Sequence, residues 1–244
     1  MNGNKVKKRF DRIAWMYDFM ESPMEILSVS SWRRELLSNI TGRVLEVGVG
    51  TEKNLPYYPE GIELTGVDIS PKMLEKAKRK AETLEIKADL RVIDIEKMVF
   101  PDRYFDYVIA TFVFCSVPDP VNGLREVRRV LKDGGTALFL EHVRSENWFL
   151  GKIMDILNPI VRSLIGPNIN RRTVENIRMA GLEIVSEENM GGAKIMKRIM
   201  AKKNILFDDL ERLAGTWSEQ DAAEFEKNTA AFEQIDNSLW KNAE

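Results

Sequence analysis

Between residues 43 and 140 the chain alternates two patterns. Short, nearly unbroken apolar runs occupy 43–47, 62–68, 90–94, 105–111 and 136–140. Runs of that length and content are the form of strands buried on both faces. Between them, apolar residues return every three or four positions. Leu74, Ala77, Ala81 and Leu84 do so behind Ser70-Pro71, an N-cap followed by a first-turn proline. Leu124, Val127 and Leu131 do so behind Asp119-Pro120, and 132–135 (Lys-Asp-Gly-Gly) reads as a turn. Strands separated by helices predict a parallel sheet covered on both faces, with right-handed crossovers. Such a sheet binds ligands outside the carboxyl ends of its strands.

After Val143 the pattern changes. Trp148, Phe149, Ile153, Met154, Leu157, Ile160, Val161 and Leu164 form an apolar helical face, broken near Asn158-Pro159. Residues 172–180 read as a further helix ended by Gly181, and 182–186 with 195–201 as a closing pair of strands. Beyond Asn204, Ala222, Phe225, Thr229, Phe232 and Leu239 fall on a heptad-like seam that Asp236 interrupts, with Trp217 and Trp240 on either side. A lone helix with such a stripe must bury it against its own domain, a second subunit or another protein. The expected organisation is an N-terminal helical cap (1–40), a central domain (41–204) whose 148–170 segment covers an acceptor site, and an acidic helical tail (205–244).

Composition narrows the classes. At 244 residues, 44% hydrophobic and 30% charged, the chain has the make-up of an ordinary soluble protein. One cysteine, Cys115, and one histidine, His142, exclude an internal disulfide and Cys- or His-rich metal sites. No metal is expected, and a reducing, cytoplasmic setting fits. Residues 1–10 are basic without an apolar core, so no signal peptide is expected. No apolar run reaches the roughly 20 residues of a membrane span. Ten acidic and three basic residues lie in 205–244, against 28 and 33 elsewhere, so an acidic tail follows a mildly basic body. Lys152, Arg162, Arg171 and Arg172 surround the apolar 148–165 face, a pattern that also suits peripheral membrane contact. No basic, aromatic-interleaved patch points to a nucleic-acid partner.

The chemistry centres on Val44-Leu-Glu-Val-Gly-Val-Gly-Thr51, a strand running into a glycine turn. Glycines there let the backbone approach a ligand closely. By itself a Gly-x-Gly turn also suits nucleotides, flavins or plain structure. Asp68 ends the second strand about 20 residues on, where a carboxylate can hold both ribose hydroxyls, and Asp94 ends the third. Both also fit helix caps or loop carboxylates. The third glycine of a dinucleotide fingerprint and the Gly-Lys-Ser/Thr of a P-loop are missing, which turns the reading away from NAD and nucleoside triphosphates.

These motifs, together with Gly66-Val-Asp-Ile-Ser-Pro-Lys-Met73, Asp106-Tyr-Val-Ile and Leu124-Arg-Glu-Val-Arg-Arg-Val-Leu-Lys-Asp-Gly-Gly135, resemble the class I S-adenosylmethionine (SAM)-dependent methyltransferases. The closest resemblance is to the branch of ubiquinone/menaquinone-biosynthesis, phospholipid N- and thiol S-methyltransferases, over roughly residues 9–203. It implies an α/β, Rossmann-like doubly wound sheet, mostly parallel with an antiparallel last strand, plus N-terminal helices and a C-terminal helical tail. It also implies SAM as cofactor. Glu46, Gly48, Gly50 and Thr51 would line its methionine part, and Asp68 would bind the ribose. Ile69 and Met73 would pack by the adenine, whose amino group Asp94 and Ile95 would contact. Thr111 and its neighbours, at the end of the fourth strand, would face the sulfonium side. Phe10-Asp-Arg-Ile-Ala-Trp-Met-Tyr-Asp18, with Trp32-Arg33, resembles the same branch, in which the Tyr17 position closes over the cofactor.

Methyl transfer from a sulfonium leans on placement, and a thiol, phenol or ammonium acceptor must first lose a proton. His142, in Leu140-Glu-His-Val143, titrates nearest neutrality and resembles a Glu-His pair of the thiol and lipid branch. Glu141 and Asp18 are the other candidates; all three also fit structural roles. Cys115 reads as a buried small apolar residue. Glu52 stands where the family usually has a small residue. A carboxylate there would repel the cofactor's own carboxylate unless turned to solvent. The expected activity is methyl transfer to a small hydrophobic or lipid-like acceptor. Two alternatives remain: a SAM binder with little catalysis, and an interaction protein acting through its tail. That tail resembles the toxin-wrapping segment of antitoxins paired with PIN-domain toxins, which leaves a homodimer or a toxin-like protein as its partner.

Overall fold

The apolar runs assemble into one sheet: β1 (Arg43–Val47), β2 (Glu63–Asp68), β3 (Ala88–Val92), β4 (Phe105–Thr111), β5 (Leu131–His142), β6 (Leu182–Met190) and β7 (Met196–Lys203). Their order is β3-β2-β1-β4-β5-β7-β6. β1 to β5 pair in parallel, and β7 runs antiparallel between β5 and β6. The central strands β1 and β4 are the most continuously apolar, as burial on both faces requires. The computed structural model describes residues 6–8, 11, 29–164, 167–191, 194–203 and 218–229.

Six α-helices have both ends among these residues: α1 (Ser30–Leu37), α2 (Pro71–Thr83), α3 (Pro120–Val130), α4 (Trp148–Leu164), α5 (Thr173–Met179) and α6 (Glu219–Thr229). The caps read from the sequence are in place. Ser70 Oγ accepts from Met73 N–H at 3.2 Å, and Asp119 Oδ1 accepts from Asn122 N–H at 3.0 Å. Leu124, Val127 and Val130 of α3 and Ile177 of α5 pack with Leu45, Val47, Val108 and Phe139 on one face of the sheet. Leu36, Leu37 and Ile40 pack with Val44, Ile109, Leu138 and Leu140 on the other. Alternate residues of each strand thus serve opposite cores.

Two expectations are corrected. The 132–135 turn lies inside β5: Phe105 pairs with Leu131 but Tyr107 with Thr136, so the extra residues bulge from the ladder. Gly134 there has φ +75°. The helix over 148–164 is not broken at Asn158-Pro159, because one proline removes a single backbone bond. The helix is also held from the side. Arg144 grips Asp155 (2.9 Å), and Asn158 Oδ1 accepts from Ile169 N–H (2.9 Å). No helix among the described residues is long and apolar enough to cross a membrane.

The chain divides into two compact units, residues 1–204 and 205–244. In the second, Ser218 and Asp221 cap α6 reciprocally: Ser218 N–H donates to Asp221 Oδ2 (2.8 Å) and Asp221 N–H to Ser218 Oγ (3.2 Å). Ala222 and Phe225 of the heptad seam are exposed. Phe232, Leu239, Trp217 and Trp240 lie outside the described residues.

Candidate active site

Strand alternation sets up the site. Glu46 follows Val44 onto the α1 face of the sheet, and Thr111 follows Ile109 onto the same face one strand over. Both therefore emerge at the carboxyl ends of the two central strands. Arg33, on α1 and 4% exposed, reaches this point. Its Nη1 donates to Asn54 Oδ1 (2.7 Å) and Thr111 Oγ1 (2.8 Å). Asn54 Nδ2 donates to Glu46 Oε1 (2.7 Å) and Thr111 Oγ1 (3.1 Å). The Tyr58 hydroxyl donates to Glu46 Oε2 at 2.5 Å. Burial pushes the Glu46 carboxyl up to about 7, against the pull of Tyr58, Arg33 and Asn54.

The glycine turn follows directly. Gly48 has φ +66°, and a Cβ there would stand 2.6 Å from a Val113 methyl, so only glycine fits. Gly50 has φ +56° and nothing within 4 Å of where a Cβ would stand, so its face is open to a ligand. Asp68 fastens the turn to the next loop: its carboxylate accepts from Gly50 N–H (2.9 Å) and Ser70 N–H (2.8 Å). Burial raises the Asp68 pKa despite these donors. Asp94 Oδ1 accepts from Glu96 N–H (3.0 Å) at the end of β3. The N-terminal segment arrives too: Ser70 Oγ donates to Asp11 Oδ1 at 2.6 Å.

Glu46, Gly48, Gly50, Thr51, Asp68, Ile69, Met73, Asp94, Ile95 and Thr111 all line one cleft. Phe112, beside Thr111, lines it too, and so do Val6, Arg33, Lys53 and the 116–118 segment, to which sequence reasoning assigned no role there. Arg33 stood only within a motif. Asn54 and Tyr58, which hold Glu46, carried no sequence signal at all. Tyr17 and Asp18 lie outside the described residues. The donor set suits SAM: carboxylates at the ends of β1, β2 and β3 for its cationic and hydroxyl groups, and Ile69, Met73 and Ile95 as apolar walls for a flat base.

Residues 45–139 match the family described as "Methyltransferase domain". The chain is 37% identical over 147 residues to phosphatidylethanolamine N-methyltransferase of Cereibacter sphaeroides, covering 58% of this chain and 70% of that one. It is 34% identical to the ubiquinone/menaquinone biosynthesis C-methyltransferase UbiE of Geotalea daltonii, over 57% and 63% of the two chains. It is 35% identical to human thiol S-methyltransferase TMT1B, over 50% and 54%. The chain belongs to the SAM-dependent methyltransferases. The fold agrees: a solved Thermotoga maritima protein, described as a SAM-dependent methyltransferase and possible histamine N-methyltransferase, superposes with a TM-score of 0.61. It is 20% identical and is covered to 99%, against 81% of this chain.

Four residues of the methyltransferase stand apart from the cleft lining. Glu141 is fully buried; its Oε1 accepts from Val113 N–H (2.9 Å) and Phe114 N–H (3.1 Å), while Oε2 has no partner. Burial pushes it up to about 8. It braces the turn after β4, whose residues do line the cleft. His142, half-buried on β5 opposite Met196, has its pKa lowered by burial. Glu52 corrects an expectation: it faces neither cofactor cleft nor solvent. It is 0% exposed with φ +60°, and burial and the facing Glu46 push its carboxyl well up, favouring the neutral acid. Cys115 is buried, its thiol pushed up to about 12. No described residue of 148–170 lines the cleft, although Asn168 braces its rim by donating twice to the Cys115 carbonyl (2.8 and 3.0 Å).

Proposed function

We propose that this cleft binds SAM and that the methyltransferase alkylates a small, hydrophobic or lipid-like acceptor: a thiol, a quinol or a phospholipid amine. The observation that carries the reading is the convergence of Glu46, the Gly48–Gly50 turn, Asp68 and Asp94 on one cleft at the carboxyl ends of parallel strands. In this reading Asp68 holds the ribose hydroxyls and Asp94 with Ile95 the adenine edge. Glu46 receives the ammonium, kept in place by Asn54 and Tyr58. Bound SAM supplies a methyl carbon already activated by its sulfonium. The protein's part is placement and exclusion of water, with the acceptor losing its proton before transfer. His142 and Glu141 then act by positioning the strand ends around the cleft.

The three named relatives act on a phospholipid, on quinone precursors and on thiols, which supports an apolar acceptor. So does α4, which exposes Trp148 (73%), Phe149 (65%), Ile156 (72%) and Ile160 (58%). With Lys152 and Arg162 nearby, that face would rest on a membrane surface, where lipid-like acceptors reside. Calorimetry should give a dissociation constant for SAM of about 1–100 μM, weakened at least about tenfold by Asp68→Ala. Absence of binding to the wild-type chain would remove the cofactor assignment. Turnover against thiols, quinols and phosphatidylethanolamine vesicles decides the acceptor; failure with all three would overturn that half. Vesicle flotation should carry the protein up, and Trp148→Ser with Phe149→Ser should abolish it.

A further inference from the structure

A second cavity, of about 470 Å³, shares no lining residue with the first cleft among the described residues. Its walls are the 143–146 stretch after β5, residues 171–175 and 178 in and before α5, Glu187 of β6 and Lys197 of β7. Five cations (Arg144, Arg171, Arg172, Arg178 and Lys197) face three carboxylates (Glu146, Glu175 and Glu187). Some of that charge is already matched. Lys197, almost fully buried, bonds both Glu146 and Glu187, and Arg144 bonds Asp155. Arg178 stands 3.9 Å from Glu187. Arg172 makes no ion pair among the described residues, though its field reaches Asp155.

Two buried polar atoms on this wall have no partner. Arg171 Nη2 donates to the Val117 carbonyl (2.5 Å), yet its Nε is buried and unsatisfied. Thr173 is 0% exposed, and its hydroxyl has no partner either. Leaving such a group unpaired is costly, and two on residues lining one cation-rich cavity point to a ligand. The complement is an anion with several acceptor oxygens. A tetrahedral phosphate can take a guanidinium edge, a hydroxyl and further arginine forks at once, which a planar carboxylate with two oxygens cannot. The space exceeds a bare phosphate, so an organic substituent fits beside it.

We propose that this cavity binds the phosphate group of an organic phosphate, held by Arg171, Thr173, Arg172 and Arg178. The site does not depend on the methyltransferase reading. The test is calorimetry of the full chain in phosphate-free buffer at fixed ionic strength, with glycerol 3-phosphate, dihexanoyl phosphatidylglycerol below its micelle concentration, and sodium chloride as control. Saturable binding of either phosphate is expected. It should weaken at least about tenfold in the double variant Arg172→Gln, Arg178→Gln and severalfold in Thr173→Val. It should persist in Asp68→Ala. The side chains of Arg172 and Arg178 reach solvent, so their variant keeps its fold, which an unchanged SAM isotherm would verify. Tighter binding of the lipid than of glycerol 3-phosphate assigns a lipid headgroup; equal binding assigns a soluble phosphate ester. Three results overturn the proposal: no saturable binding of either compound, affinity untouched by the double variant, or affinity lost with Asp68→Ala.

Discussion

Glu52 shows how one residue can look wrong in a sequence and be resolved by its surroundings. Along the chain it threatened the cofactor's carboxylate; in the fold it points away from the cleft into the interior beside Glu46. Its main-chain carbonyl accepts from Lys80 Nζ at 2.6 Å, but its carboxyl is buried against a second acid, Glu46. Its φ of +60° also lies where a side chain costs about 1 kcal/mol or more. Glu52→Gly removes both penalties. The expected result is a rise in melting temperature of about 2–4 °C, with the SAM dissociation constant changed less than about threefold. A lower melting temperature would show that Glu52 stabilises the fold. The glycines and acids of the cleft were legible because backbone approach and strand-end carboxylates leave a local signature. Arg33, Asn54 and Tyr58 were not, because what qualifies them is a meeting in space: Arg33 and Thr111 are 78 positions apart.

At the scale of elements, the end of β5 is tied to the turn after β4 through Glu141. Its carboxyl is held near 8 in the fold, against an ordinary value of 4.5. A raised acid binds its proton more tightly when folded, so its contribution to stability is complete below about pH 4.5 and lost as pH rises through 8. Between those limits the slope is about 1.4 kcal/mol per pH unit for such a group. Urea unfolding at about pH 6 and about pH 8 should therefore show the wild type losing about 1–3 kcal/mol more than Glu141→Gln. The glutamine still offers a carbonyl to Val113 and Phe114 N–H but carries no proton to lose. Equal losses would mean that Glu141 is ionised at neutral pH. Elements themselves were the most legible level. The apolar runs and the Ser-Pro and Asp-Pro caps placed β1, β4, α2 and α3 within a residue or two. The errors fell at the β5 bulge and at Pro159, where tertiary pairing overrides a local breaker.

For the whole molecule, the question is how far the two units depend on each other. Among the described residues, those lining the cleft lie between Val6 and Pro118, and the last strand of the sheet ends at Lys203. The sheet and both its apolar faces are thus completed by the first unit's own elements. We expect a chain ending at Asn204 to fold cooperatively and to bind SAM within about twofold of the full chain. The tail is the second unit. It carries a heptad-like seam of apolar residues from Ala222 to Leu239, and such a stripe on a short acidic helix is stabilised by docking on another surface. We propose a second copy or a toxin-like protein as that surface. Sedimentation of the full and shortened chains separates the two. A dimer that becomes a monomer on truncation assigns the tail to self-association, and two monomers leave a separate protein as its partner. A loss of SAM affinity of about tenfold on truncation would instead make the tail part of the catalytic unit, contrary to a cleft whose described lining lies between residues 6 and 118.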